Sequence, residues 1–405
     1  MLNKDNKKLL ILTLDPHHKG GVFPMVEFVH NQMKEDGLDP LLAYNKVSSL
    51  RVPDDNDITF KKILKKVRPN VIKEKINGMK SFAIGRVLPG FEFLNYVLNL
   101  NLWKKIISDK DLFFSVGGSS HAALPLAFLN KKFSIWVATS FLEERIYRVK
   151  SESFLRKIRD YISLPFLYFL ERYVFKKADK ILALSEYTKS KIISHHSIPN
   201  FKIEVAHFPI DTKLFSPVSF NKRVNNYLIF TGRVEDERKN IPLLLKVFSR
   251  IRRNYPKLKL KLIGGRDGQK FSRLLSDVGI QENVEFISSI PRDKLVSFYQ
   301  NASAFVLPSY QEGLCISALE ALSCGVPVIS TKCGGPEDYI QNGFNGFLVE
   351  NNDVDDMTEK IDHFLRLSNV SRKEMCKNAR QYILKNFTKE KIWFKFQKVI
   401  NELQR

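Results

Sequence analysis

Arg233 and Lys239 stand six positions apart in TGRVEDERKNIPLLLKVF, between a strand pattern ending at Thr231-Gly232 and a helix pattern with Pro242 in its first turn. Two cations flanking a strand-to-helix loop suit a diphosphate, the guanidinium as a bidentate fork and the ammonium as a point charge. The competing arrangement is a surface loop in which they pair with Glu235, Asp236 and Glu237, where ion pairs are worth little. A second stretch, SYQEGLCISALEA (309–321), carries Glu312 and Glu320 eight positions apart. Gly313 follows the first carboxylate and lets backbone approach a ligand closely. The helix pattern LCISALEALSC is closed by Gly325, and its start offers free N–H groups and a positive dipole end, a ready anion site. Eight helical residues rise about 12 Å, so one carboxylate lies at the mouth of the element and the other lower down. A nucleotide-sugar has this layout: sugar polyol, anionic diphosphate, ribose diol. Glu320 is flanked by Ala318, Leu319, Ala321 and Leu322, an apolar setting that a solvent-facing carboxylate does not need.

Short apolar runs alternating with amphipathic stretches must position these groups. Strand patterns read KLLILTL (8–14), DLFFSV (111–116), FSIWVAT (133–139), KILALS (180–185) and KIEVA (202–206). A second series reads NYLIFTG (226–232), KLKLIG (259–264), VEFIS (284–288), SAFVLPS (303–309), VPVIS (326–330) and GFLVE (346–350). Helical patterns such as PLLLKVFSRIRRNY (242–255) and PRDKLVSFYQNA (291–302) lie between them. Strand and helix in repetition predict parallel sheets covered on both faces. The polar stretch PIDTKLFSPVSFNKRVNN between the series reads as an interdomain linker. The expected architecture is therefore α/β, with two doubly wound domains at 1–208 and 209–385. A last amphipathic helix, 386–405, docks back on the first domain. Ligands of such sheets bind at the carboxyl ends of the strands, here in a cleft between the domains.

A length of 405 residues favours two domains, and 44% hydrophobic with 27% charged residues excludes collagenous and disordered classes. The net charge of +22 calls for an anionic partner: nucleic acid, a membrane surface or small anions. Residues 61–80 are rich in cations, and Arg156 to Lys177 interleaves cations with aromatics, as a surface-lying amphipathic helix does. The longest apolar run, ISLPFLYFL, falls short of the ~20 residues of a membrane span. The opening MLNKDNKKLLILTLDP reads as a first strand rather than a signal peptide. Four cysteines without a C-x2-C pair read as reduced thiols, not a zinc site. Asp353 and Asp355 open a helix pattern and read as an N-cap and a dipole partner rather than metal ligands.

With these motifs assembled, the sequence resembles the retaining family 4 glycosyltransferases of the GT-B fold. Glu312 and Glu320 match the Glu-x7-Glu signature, followed by SCGVPVIS and CGGPEDYIQNGFNGFLVE. Gly232, Arg233, Arg238 and Lys239 match the family's cationic loop, and KLIGG (261–265) and PIDTKLFSP fit as well. In the first half the likeness rests on Gly20-Gly21 and on KILALSEYTKSKI. The resemblance implies that Arg233 and Lys239 hold the donor diphosphate, Glu312 the sugar hydroxyls and Glu320 the ribose. Gly313, Leu314 and Cys315 would present backbone amides, and Gly20 and Gly21 would lie across the cleft. It further implies retention of configuration without a cofactor or metal. One departure concerns the first half. Many members place a His after the strand corresponding to FSIWVAT, where this chain has Thr139 and Ser140; His121 is the candidate to fill that space. His17 and His18, before the glycines, are candidates to touch the acceptor.

The expected activity is transfer from a UDP- or GDP-type sugar to a glycan or lipid-linked acceptor. The expected place is the cytoplasmic face of the membrane, whose anionic lipids would attract the basic segments 61–110 and 145–177. The alternatives are a nucleotide-sugar epimerase or hydrolase on the same fold, and a nucleic-acid binder. Against the latter, no nucleic-acid-binding motif occurs and the aromatics have core-like spacing.

Overall fold

The structure is a computed structural model describing residues 8–16, 21–46, 70–85, 96–148, 154–220, 226–265 and 268–404. The first domain holds β1 (Leu9–Thr13), β2 (Pro40–Lys46), β3 (Val71–Ile76), β4 (Met79–Gly85), β5 (Leu112–Gly117), β6 (Ser134–Val137), β7 (Lys180–Ala183) and β8 (Ile203–Val205). They form one sheet in the order β3-β4-β2-β1-β5-β6-β7-β8. Along β1, Leu9 and Ile11 enter one apolar cluster while Leu10 and Leu12 enter another on the opposite face. A strand buried on both faces must be apolar throughout, which is why LLILT shows no polar alternation.

The sheet is not uniformly parallel, which corrects the expectation. β3 and β4 pair antiparallel at the edge, joined by Asn77-Gly78, both at positive φ. An Asn-Gly pair between two strands is the strongest short-range hairpin signal. Part of the basic run is thus an edge strand whose exposed Lys73 and Lys75 guard its open side. Residues 61–69 of that run lie outside the described residues.

The second domain is all parallel: β9 (Tyr227–Thr231), β10 (Lys259–Ile263), β11 (Val284–Ile287), β12 (Ala304–Leu307), β13 (Val328–Thr331) and β14 (Gly346–Val349), in the order β11-β10-β9-β12-β13-β14. Strand order reverses beside β1 in the first sheet and beside β9 in the second. The carboxyl ends there are the switch points where such sheets bind ligands.

The helices needed for the site are α1 (Val22–Glu35), α2 (Phe141–Arg148), α3 (Phe154–Lys177), α4 (Glu186–His196), α5 (Ile241–Asn254), α6 (Arg292–Gln300), α7 (Ile316–Ser323) and α8 (Lys389–Gln404). In α1, apolar residues at helical spacing bury Met25, Val26, Val29 and Met33. It stops at Gly37, whose φ of 88° allows the turn in which the Gly37 and Leu38 amides donate to Lys34 and Met33. Asp353 caps its helix by accepting from the Asp355 and Asp356 amides.

α8 packs on the first domain. Phe396 meets Trp136 edge-on at 4.8 Å, and the Trp393 indole donates to Asp36 at 2.8 Å. Across the domains, Asp338 accepts from the Glu186 amide (2.7 Å) and from His207 (3.0 Å). Arg380 ties the linker to the second domain through the Thr212, Phe215 and Ser323 carbonyls.

Candidate active site

β9 ends at Thr231, and the chain passes through Gly232 and Arg233 into the Glu237–Lys239 turn before α5. Arg233 keeps 61% of its side-chain surface exposed and lies 3.1 Å from Asp236, which also takes a two-pronged contact from Arg238. Burial opposes ionisation of Asp236. The Arg238 hydrogen bond and the charges of Arg238, Arg233 and Lys239 outweigh it and lower the carboxyl to about 2. The surface-loop arrangement thus accounts for Arg233 and Arg238 as they stand, but not for Lys239.

Lys239 turns inward, its Nζ 2.5 Å from Glu312 Oε1, and Ser309 donates to the same oxygen at 2.7 Å. Burial works against the Lys239 charge, but the facing Glu312 carboxylate raises its pKa above the ordinary value. Glu312 is held by its backbone: its amide donates to Cys333 (2.7 Å) and its carbonyl accepts from Gly335 (3.0 Å). Gly313, Leu314 and Cys315 follow, and α7 begins. Cys315 takes a left-handed conformation, φ 62°, to turn the chain into the helix. Tyr339 donates to the Leu314 carbonyl at 2.9 Å. Among the described residues, none accepts a hydrogen bond from the Gly313, Leu314 or Cys315 amide. Burial pushes the Cys315 thiol up to about 12, so it is a thiol and not a competing anion.

Glu320 lies inside α7, 5% exposed, with Arg292 at 2.5 Å on one oxygen and the Tyr299 hydroxyl at 3.3 Å on the other. Tyr299 also meets Thr231 Oγ1 at 2.7 Å, linking Glu320 to the end of β9. Burial raises the Glu320 carboxyl above the ordinary range, with Arg292 and Tyr299 acting in the opposite sense. The two carboxylates are therefore each paired with one cation, along one element.

The first domain closes against this surface. Gly21 opens α1, and a Cβ there would stand 3.7 Å from Ile316 at the start of α7. A Cβ on Gly313 would lie 2.6 Å from the Ala138 carbonyl oxygen and 4.0 Å from Thr139 Cβ. Gly313 is thus required by close approach of the two domains. Thr139 is buried, its amide donating to Gly118 at 3.0 Å. His121 is inside the first domain, its ring nitrogens 3.3 Å from Ser119 Oγ and 3.3 Å from the Leu167 carbonyl. Gly20, His17 and His18 lie outside the described residues.

Arg292 and Tyr299 are not legible as site residues in the sequence. Ser309, three residues before Glu312, was findable as a local partner. Arg292 reaches Glu320 over 28 positions of chain, and nothing local marks that contact. Among the described residues no group of three or more His, Cys, Asp or Glu is placed to hold a metal ion.

Two facing α/β domains with strand-order reversals at a shared cleft define the GT-B class of fold. Residues 212–382 match the family model described as "Glycosyl transferases group 1". The chain is 27% identical over 209 residues to a D-inositol 3-phosphate glycosyltransferase of Mycolicibacterium smegmatis, covering 48% of this chain and 47% of that protein. It spans about half the length of that curated relative. In structure it resembles a sucrose-phosphate synthase from Thermosynechococcus elongatus, with TM-score 0.76 and 19% identity over 98% of this chain and 99% of that one. It also resembles HepE from Anabaena in complex with UDP, with TM-score 0.73 and 14% identity over 98% and 100%. At such identities the structural likeness shows the fold alone.

Proposed function

We propose that the chain is a retaining, metal-independent glycosyltransferase using a nucleoside diphosphate sugar of UDP or GDP type. Its acceptor is a hydroxyl of a glycan or lipid-linked sugar, in the assembly of a cell-surface polysaccharide, lipopolysaccharide or glycolipid. The observation that carries this reading is the Lys239–Glu312 pair at the start of α7, beside three backbone amides that no described residue occupies. A diphosphate seated on those amides meets the helix dipole and displaces Lys239 from Glu312 toward itself, with the exposed Arg233 closing from the loop. Glu312, relieved of its cation, accepts from a sugar hydroxyl; Glu320 accepts from the ribose. As the anomeric C–O bond breaks, its electron pair passes to the diphosphate, where the two cations stabilise the developing charge. The acceptor oxygen bonds to the anomeric carbon on the same face, and its proton passes to a phosphate oxygen of the leaving group. The close approach of the Ala138 carbonyl to Gly313 closes the first-domain side of this point, which would favour transfer over hydrolysis.

The group 1 match over the second domain supports a nucleotide donor. The test is a thermal-shift panel of UDP, GDP, ADP and their sugars. A matching nucleotide at about 100 times its Kd raises Tm by roughly 2 °C or more. No shift from any of them would sink the donor site.

For the membrane, the supporting observation is α3. Phe166 and Phe169 are 46% and 65% exposed, one turn apart, on a helix ending in Lys176-Lys177. No described helix is long and apolar enough to cross a membrane. Flotation with vesicles containing anionic lipid is expected to carry the protein up and neutral vesicles to leave it behind. Equal, negligible recovery with both would end the membrane reading.

A further inference from the structure

Glu171, in the middle of α3, is fully buried, and the chemistry above does not use it. Its carboxylate gathers three donors: Ser140 Oγ to Oε2 at 3.0 Å, His196 Nε2 to Oε2 at 3.0 Å, and the Phe141 amide to Oε1 at 2.9 Å. Ser140 and Phe141 are the turn after β6 and the first residue of α2, so the carboxylate faces the positive end of that helix. Tyr168 stacks on His196 at 4.9 Å and holds the ring in place. Burial alone would raise the Glu171 carboxyl. The His196 hydrogen bond, the charges of His121 and His196 and the Phe141 amide outweigh it and keep it below the ordinary range.

What this carboxylate anchors is the part of the first domain that meets the donor site. The Ala138 carbonyl lies against Gly313, and α2 packs on the Glu237–Lys239 turn. From α2, Glu143 accepts from the Tyr187 hydroxyl, and the Tyr187 ring covers Gly334, beside the Glu312 carbonyl. One carboxylate in the first domain thus fixes a wall with three contacts to the second.

We propose that Glu171 is the positioning residue of the cleft's first-domain wall, holding residues 138–148 in register against the Gly313 loop and the Lys239 turn. It touches no substrate. Its consequence for transfer rests on the donor-site reading above.

Glu171→Gln tests this by near-isosteric change. The glutamine oxygen can still take the Phe141 amide, but its N–H2 then faces Ser140 and His196, which must stop donating and turn to accept, and the negative charge is gone. Native-state hydrogen exchange of the whole chain is the readout. The expected result is about tenfold or faster exchange at 138–148, the scale of one lost buried charged hydrogen bond. Across the cleft, the hydrogen-bonded amides of Glu312, Ala318 and Gly335 should speed up by about threefold or more, while the β7 amides stay protected. Faster exchange confined to 138–148 would overturn the inference, because Glu171 would then be only a local cap. Ser140→Ala removes one donor and keeps the charge. It should give the same two-sided pattern in smaller measure and carries the test if Glu171→Gln fails to fold. The UDP thermal shift is measured on the wild type alongside; its absence would overturn the donor site, whereas the exchange pattern decides the positioning role by itself.

Discussion

The two walls of the cleft each contain a buried carboxylate, and they are built in opposite ways. Glu312, on the second domain, has a single cation and one hydroxyl for partners, at 2.5 and 2.7 Å, and stands beside unoccupied amides. Glu171, on the first, has no exposed surface, and its oxygens are taken up by donors from α2, α4 and the turn after β6. A carboxylate satisfied by fixed donors has nothing to offer a ligand, whereas one held by a single lysine beside open amides can exchange that partner for another. The second wall is arranged to bind and the first to hold still.

The strongest way to break this contrast is to remove the exchangeable partner. In Lys239→Met, Glu312 stays buried without its cation, at an expected cost of about 3–5 kcal/mol in denaturant unfolding. Sugar transfer should fall about 10²-fold or more, the loss typical of removing a group that stabilises transition-state charge. Lys239→Met/Glu312→Gln should recover most of the stability and none of the activity. A single variant as stable as wild type would mean that the pair is a solvated surface contact and that the two walls do not differ as described.

A smaller effect is expected where the walls touch. Gly313→Ala places a Cβ 2.6 Å from the Ala138 carbonyl oxygen, backbone that cannot rotate away. Because the obstacle belongs to the other domain, the domains part rather than unfold. Tm should stay near wild type while transfer falls by about tenfold to 10²-fold, as for an ångström-scale misplacement of reacting groups. Full activity in this variant would place the catalytic contact elsewhere.

The contrast also explains what the sequence disclosed. The second wall is built from short loops at strand ends, so Gly232, Arg233, Lys239, Glu312, Gly313 and Glu320 fall in two compact stretches whose spacing carries meaning. The parallel second sheet was legible for the same reason, since each buried strand reads as an apolar run between helices. The first wall joins residues from three segments, Ser140, Glu171 and His196, and no local pattern announces a contact spanning 31 positions. His121, the candidate for the place of the family's histidine after β6, has its ring nitrogens against Ser119 and the Leu167 carbonyl in the first domain. The β3–β4 hairpin was hidden differently. Its Asn77-Gly78 turn is present in the sequence, but VIKEKI has no clean apolar alternation to mark it as a strand. Arg292 escaped because an arginine after a proline at a helix start looks like any surface residue until Glu320 is brought to it.

The smallest effect tests whether the second wall is shaped by backbone or by side chain. Cys315 holds φ 62° and ψ 76°, a region that costs a non-glycine residue on the order of 1 kcal/mol or more. Cys315→Gly removes that strain but adds roughly 0.5–1 kcal/mol of unfolded-chain entropy, and it gives up the buried side chain. These terms nearly cancel, so stability should stay within about 1 kcal/mol of wild type. The free amides keep their direction because Tyr339 still holds the Leu314 carbonyl, so the UDP shift should persist. Cys315→Val has no such compensation: a β-branched residue is a steric outlier at positive φ. It should cost more than about 2 kcal/mol, read in the same unfolding experiment. If valine were tolerated and glycine were not, the thiol rather than the turn would be shaping the start of α7, and the second wall would depend on side-chain packing as much as the first.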